Sequence, residues 1–283
     1  MTDRYAVIGN PISHSKSPQI HKMFAEQTGQ DIIYVAIEAP LDGFAATVER
    51  LRKEGYKGCN VTVPFKFEAA MIANGISSEA MDALESNNEA DAINTLLFQT
   101  DKIGGRNTDG AGLVNDIEKN LKIPLKHKRI LLIGAGGAAA GVLNPLLVAS
   151  QSPLVIYNRT LNKAENLKKT ITQHEKFQHV SIKPVEFGKL GDAQFDVIIN
   201  ATSAGLTDSE IPLPETVFAP GALAYDMMYG RETPFMKFAR KHGAAVVTDG
   251  LGMLVEQAAE AFFIWRGVHP DTAPVIKALR QQQ

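Results

Sequence analysis

"RILLIGAGGAAAGVL", residues 129–143, starts apolar at Ile130 to Ile133, breaks into glycine and alanine, and continues as a helical pattern. A strand, a glycine turn and a helix in that order open a βαβ unit. Gly134-Ala135-Gly136-Gly137-Ala138-Ala139 fits G-x-G-x-x-G/A in that context. Gly134 permits the tight turn, and Gly136 lets backbone N–H groups approach a pyrophosphate, which a helix N-terminus also attracts. Ala139 permits close packing of the helix on its sheet.

The next strand decides which dinucleotide is expected. Sites for NAD usually carry Asp or Glu at its end, for the ribose hydroxyls. Here "PLVIYNRT" (153–160) ends in Asn158, Arg159 and Thr160, with no acid. Arg159 is a planar cation suited to a 2′-phosphate, and Lys163 adds a second positive charge. NADP is therefore expected over NAD.

Around this unit the second half of the chain reads as further strands at Val180 to Ile182, "FDVIINATSAG" (195–205), "ALAYDMMY" (222–229) and "AAVVTDG" (244–250). Helices are expected over Asn162 to Gln173, after Gly250 to Phe263, and over Asp271 to Gln281. The first half also alternates. Strands at Tyr5 to Gly9, Ile32 to Ile37 and Asn60 to Val63 are separated by helical patterns, the first with Ser17 as N-cap before Pro18. Further helices are read at Glu68 to Ala73, Ser77 to Glu85 and from Asp109 to about Leu121. Ile93 to Phe98, "QTDK" and Ile103 to Gly105 read as a hairpin. Strands alternating with helices predict a largely parallel sheet in each half. The fold class is α/β with two domains: an N-terminal open, mostly parallel α/β domain and a C-terminal Rossmann-type domain. The expected division is 1–108 with the last helices, 253–283, packed back on it, and 109–252.

Composition narrows the class. Apolar residues make up 45% and charged residues 21% of 283 residues, which is globular. A net charge of -2 gives no reason to expect a polyanion, and the basic stretch "KIPLKHKR" (122–129) reads as a solvated linker. No nucleic-acid partner is expected. Cys59 is the only cysteine, which suits a reducing, cytoplasmic setting and leaves no intrachain disulfide. The seven histidines have no metal-ligand spacing, so no metal is expected. The longest uncharged apolar run, Ile130 to Leu143, is too short for a bilayer, and the N-terminus has no signal-peptide layout.

One lysine is oddly placed. In "NVTVPFK" (60–66), β-branched Val61, Thr62 and Val63 make a stiff strand, Pro64 ends it, and Lys66 follows at the sheet's carboxyl end, where open α/β folds bind ligands. With "GNPISHSKSP" (9–18), "AINT" (92–95), "NTDG" (107–110), "IGAGGA" (133–138), "NRT" (158–160), "INATSAG" (199–205), "DMMY" (226–229) and "DGLGMLVEQAA" (249–259), the chain resembles the shikimate dehydrogenase family nearly end to end.

The resemblance implies NADPH-dependent reduction of 3-dehydroshikimate to shikimate in aromatic amino acid biosynthesis, with the N-terminal domain binding substrate and the second binding NADP. It implies Lys66 and Asp109 as the catalytic pair. Ser15 and Ser17 match the serines for the substrate carboxylate, and Thr62, Asn94 and Gln257 match groups for the ring hydroxyls. Asn60 supports the site from beside Thr62, and Tyr229 matches a tyrosine near the substrate. Gly134, Ala135, Gly136, Gly137, Ala138, Asn158, Arg159, Thr160 and Lys163 match the NADP site. Thr202, Met227, Gly250 and Met253 match the nicotinamide pocket. The expected assembly is a monomer or homodimer. Departures are a long segment between Lys66 and Asn94, Asp91 where the pattern has glycine, and Lys163 where close relatives have arginine. Two other readings compete: a quinate/shikimate dehydrogenase with relaxed cofactor use, and a non-catalytic NADP-binding sensor on the same fold. The missing acid beside Arg159 opposes the first, and the intact Lys66–Asp109 pair opposes the second.

Overall fold

A computed structural model describes residues 2–73, 92–173 and 175–282. The expected helix at Ser77 to Glu85 and the departure at Asp91 lie outside the described residues. The chain divides into two units, residues 1–112 with 255–282, and residues 113–254.

In the first unit, β1 (Asp3–Gly9), β2 (Ile32–Glu38), β3 (Gly58–Val61), β4 (Thr95–Phe98) and β5 (Ile103–Arg106) form one sheet in the order β2-β1-β3-β4-β5. β1 pairs in parallel with β2 and β3, whereas β4 and β5 are the antiparallel hairpin read from the sequence. Helices α1 (Ser17–Thr28), α2 (Phe44–Lys53) and α3 (Lys66–Ile72) connect the strands. The core gathers Ile8, Phe44, Leu51, Cys59, Phe65 and Leu96, all fully buried. Phe65 stacks on Phe44 with ring centres 4.9 Å apart. Gly58 is required for packing: a Cβ there would lie 2.4 Å from the Leu96 carbonyl oxygen and 2.6 Å from Trp265 Nε1.

The second unit holds six parallel strands: β6 (Ile130–Ile133), β7 (Leu154–Asn158), β8 (Ile182–Glu186), β9 (Phe195–Asn200), β10 (Phe218–Asp226) and β11 (Val246–Thr248). Their order is β11-β10-β9-β6-β7-β8. Counted from the glycine-turn strand this is the doubly wound order of dinucleotide folds, with the switch point between β6 and β9. Helices α5 (Gly137–Ser150), α6 (Leu161–Thr172) and α7 (Pro234–Lys241) complete it. The chain passes between units within α4 (Asp109–Asn115) and again within α8 (Leu251–Arg266), and α9 (Thr272–Arg280) follows.

Several local expectations differ. β3 stops at Val61, so Thr62 and Val63, read as strand, lie in the turn that leads to α3. Ser17 is the first residue of α1 rather than its cap, which is Lys16; the Ser17 N–H donates to Ser15 Oγ at 3.3 Å, so the serine two residues earlier takes this first helical donor. The helix from Asp109 is α-helical only to Asn115 and widens to a π-helix over Asp116–Asn120. The third strand of the second sheet is Ile182–Glu186, not Val180 to Ile182. Pro184 argues against a strand there, but β8 is an edge that pairs only with β7, and an edge tolerates a missing N–H.

His21 on α1 is fully buried and stacked on Tyr34 at 4.0 Å, with Phe24, Phe262 and Trp265 around it. Burial pushes its imidazole down to about 3, opposed more weakly by Asn60. The unfolded imidazole takes up a proton near pH 6.5, so between these values the unfolded chain binds the extra proton. Stability from this group is therefore present above pH 6.5 and lost as pH falls. From pH 7 to pH 5 the loss is about 2 kcal/mol. Urea unfolding followed by Trp265 fluorescence is expected to show that loss in the wild type, and a loss smaller by about this amount in His21→Phe.

Candidate active site

β3 ends at Val61, and the Thr62 N–H continues to the Ile8 carbonyl at 2.9 Å. The chain turns, with the Phe65 N–H donating to the Thr62 carbonyl at 3.0 Å. Phe65, locked in the core, fixes the start of α3, and Lys66 is its first residue. Thr62 is half-buried beside Gly9, where a Cβ would meet its methyl at 2.5 Å.

Asp109 arrives from the other side of the hairpin. Asn107 Oδ1 accepts from the Asp109 N–H at 2.9 Å and its Nδ2 donates to the Ala92 carbonyl at 2.7 Å, so Asn107 starts α4 and ties it to the segment that leads into β4. Lys66 Nζ donates to Asp109 Oδ2 at 2.5 Å, with side chains 19% and 10% exposed. Asn94 Nδ2 donates to Asp109 Oδ1 at 2.8 Å and to Thr108 Oγ1 at 3.0 Å. Gln257 Oε1, on α8, accepts from Asn94 Nδ2 at 3.4 Å and Thr108 Oγ1 at 3.3 Å. Gly112 lets α8 approach α4, since a Cβ there would sit 2.7 Å from Gln257.

Lys66, Asp109, Asn94 and Gln257 thus form one cluster in the first unit, and Asn60 adjoins it through Asn94 and Thr95. Ser15 is half-buried and its Oγ accepts from the Ser17 N–H; Ser17 is buried and in hydrogen-bonding reach of the Tyr34 hydroxyl. Sequence reasoning does not single out Asn107, Thr108, Tyr34 and Thr95 as site residues. Asn107 and Thr108 carry a signal in "NTDG", an Asn and a Thr before an acid at a helix start.

In the second unit the cofactor candidates collect at the carboxyl ends of the strands. Gly134, after β6, has φ +111°, and its missing Cβ would be 3.2 Å from Ala201 and Thr202. Gly136 is exposed with nothing within 4 Å of a Cβ, and α5 begins at Gly137 with Ala138 in its first turn. Ala135 is partly buried against the core. Open backbone at the start of a helix fits a pyrophosphate. Asn158 Nδ2 donates to the Thr160 carbonyl at 2.8 Å and closes the turn after β7, leaving Arg159 and Lys163 exposed. Neither cation has a carboxylate partner within 4.0 Å among the described residues. This donor set fits a dinucleotide with a 2′-phosphate.

After β9, Asn200 Oδ1 accepts from Thr202 Oγ1 at 2.7 Å and from the Thr202 N–H at 3.1 Å. Asn200 Nδ2 donates to Asp226 Oδ2 at 3.1 Å, and Asp226 Oδ1 takes the Met228 N–H at 3.0 Å. Burial pushes the Asp226 carboxyl up, against the pull of Thr233, the Met228 N–H and Asn200. Gly250 packs flat on Met227, whose carbonyl oxygen would be 2.3 Å from a Cβ. Met253 is buried with Met227 against the sheet. Tyr229 is half-buried in this unit, its phenol pushed up by burial.

A doubly wound dinucleotide sheet, in a chain whose other α/β unit carries a lysine–carboxylate pair, defines a nicotinamide-dependent dehydrogenase. Family models agree: the shikimate dehydrogenase substrate binding domain matches residues 7–96, shikimate/quinate 5-dehydrogenase residues 116–207, and the shikimate 5'-dehydrogenase C-terminal domain residues 250–280. The shikimate dehydrogenase (NADP(+)) of Methylobacillus flagellatus is 57% identical over 278 residues, covering 98% of this chain and 99% of the relative. An Ael1 enzyme from Pseudomonas putida has TM-score 0.87 and 47% identity, with 98% of each chain covered. Shikimate 5-dehydrogenase from Thermus thermophilus, in complex with NADP(H) and shikimate, has TM-score 0.82 and 31% identity over all of both chains. The chain belongs to the shikimate dehydrogenase family. Among the described residues no helix is long and apolar enough to cross a membrane.

Proposed function

We propose that this chain reduces 3-dehydroshikimate to shikimate with NADPH, reversibly, and that the first unit, residues 1–112 with 255–282, binds substrate while residues 113–254 bind the dinucleotide. The observation that carries the chemistry is the Lys66 Nζ contact with Asp109, held from the opposite side by Asn94. The bound nicotinamide supplies the hydride. Lys66 stabilises the developing alkoxide and donates the proton to the carbonyl oxygen, so that a ketone becomes a secondary alcohol. Asp109 holds the ammonium and accepts from the same hydroxyl. Ser15 and Ser17 hold the substrate carboxylate, Thr62, Asn94, Gln257 and Tyr229 contact the ring, and Asn60 supports them. Gly134 to Ala138 hold the pyrophosphate; Asn158, Arg159, Thr160 and Lys163 hold the phosphorylated ribose; Thr202, Met227, Gly250 and Met253 face the nicotinamide. The working place is the cytoplasm, as monomer or homodimer, consistent with one buried cysteine.

The test is a steady-state absorbance assay with shikimate or quinate and NADP or NAD. Turnover strongest for shikimate with NADP is expected; quinate with NAD matching it would overturn the reading. Arg159→Ala is expected to raise KM for NADP roughly 10- to 100-fold, the worth of a charged hydrogen bond, while leaving NAD use nearly unchanged.

A further inference from the structure

The amide orientations around Asp109 are set from a distance. Asn60 Nδ2 donates to the Asn94 backbone carbonyl at 3.1 Å and to Thr95 Oγ1 at 3.0 Å. A carbonyl only accepts, so that end of the Asn60 carboxamide is the nitrogen. Tyr34 Oη then donates to Asn60 Oδ1 at 2.7 Å. Thr95 has one hydroxyl proton; as it accepts from Asn60, that proton goes to Asn94 Oδ1 at 2.9 Å. The Thr108 N–H donates to the same oxygen at 2.8 Å. Asn94 Nδ2 is thereby left facing Asp109 Oδ1.

We propose that Tyr34 and Thr95 are positioning residues of the reaction: the hydrogen-bonded line Tyr34–Asn60–Thr95–Asn94 aims the Asn94 amide at Asp109 and so fixes the carboxylate that holds Lys66. This rests on Lys66 and Asp109 being the proton-transfer pair. The line is buried throughout, with exposure from 0% at Thr95 to 9% at Tyr34, where an unpaired polar group is costly and a paired one is rigid. Its far end is clamped, since the Tyr34 ring lies 7° from parallel to His21 and tilts against Trp265. Burial raises the Tyr34 hydroxyl well above its ordinary range, so it remains a donor.

Tyr34→Phe, Thr95→Val, Thr95→Ser and the Tyr34→Phe/Thr95→Val double variant are to be compared with wild type and Lys66→Ala by steady-state kinetics, NADPH titration and thermal unfolding. Tyr34→Phe is expected to lower kcat roughly three- to tenfold and Thr95→Val roughly 10- to 100-fold, with NADPH affinity unchanged. Thr95→Ser, which keeps the hydroxyl, returns to within about threefold of wild type. Because Tyr34 acts through Thr95, the double variant is no slower than Thr95→Val by more than about twofold. A lower melting temperature with wild-type kcat overturns the proposal, as does Thr95→Ser as slow as Thr95→Val, or fully multiplicative losses. If Thr95→Val does not fold, Tyr34→Phe and Thr95→Ser decide. Retained turnover in Lys66→Ala brings down the catalytic pair and the line with it. An inactive Lys66→Ala beside a full-speed Thr95→Val brings down the line alone.

Discussion

Lys66→Ala is expected to lower kcat about a thousandfold, inside the roughly 10²- to 10⁴-fold range of a positioned acid–base group. The methyl that remains can neither stabilise an alkoxide nor give up a proton. KM for NADP is expected to stay near wild type, because no cofactor candidate lies beside Lys66 in its unit. Lys66→Arg is expected to recover little. A guanidinium keeps the charge but does not give up a proton as a general acid, and its planar fork differs from a contact built on one Nζ at 2.5 Å from Asp109. Steady-state rates in both directions check this. Near-full turnover in Lys66→Ala would remove the lysine from the chemistry.

Gly252→Ala is expected to produce the largest loss of stability. A Cβ at this position would lie 2.0 Å from Asp116 Oδ1 and 2.3 Å from Oδ2. That carboxylate has nowhere to go. It is 4% exposed, accepts from Tyr225 Oη at 2.6 Å and from Asn120 Nδ2 at 2.9 Å, and sits on the π-helical turn. Moving it strands buried donors, a cost of about 3 kcal/mol, or near 10 °C in melting temperature. Gly252→Ala combined with Asp116→Ala is expected to lose much less than the sum of the two changes, because the clash and the stranded carboxylate go together. Calorimetry on the three variants tests this, and a Gly252→Ala melting point within about 1 °C of wild type would refute it.

Local grammar carried the architecture. The glycine turn after Ile130–Ile133 and the missing acid after Tyr157 point to the doubly wound unit and its dinucleotide, and both depend only on neighbours in sequence. The hairpin at 95–106 was legible for the same reason. Two of the misreadings turn on a partner distant in the chain, whereas Ser17 answers to a serine only two residues away. Pro184 is harmless only because β8 is an edge, which is a property of strand order. The widened turn at Asp116 answers to Tyr225, more than a hundred residues later. In the site, Lys66, Asp109 and Asn94 announce themselves by motif, whereas Tyr34 and Thr95 look like ordinary strand residues until β2, β3 and β4 are laid side by side.

The division of the chain has a consequence for how the molecule is made. Residues 113–254 are an insertion, and the unit they interrupt is finished only by residues 255–282. Trp265 covers Gly58, donates Nε1 to the Leu96 carbonyl at 3.1 Å and stacks on Tyr5 at 4.7 Å, while Gln257 reaches Asn94 and Thr108. On the ribosome the inserted sheet can close while the first sheet still waits for its lid, since domains form as their segments emerge. A chain released before α8 would carry the Lys66–Asp109 pair but neither the indole over β3 nor the amide beside Asn94. The cluster around Asp109 thus gains Gln257 only after the inserted unit has been made.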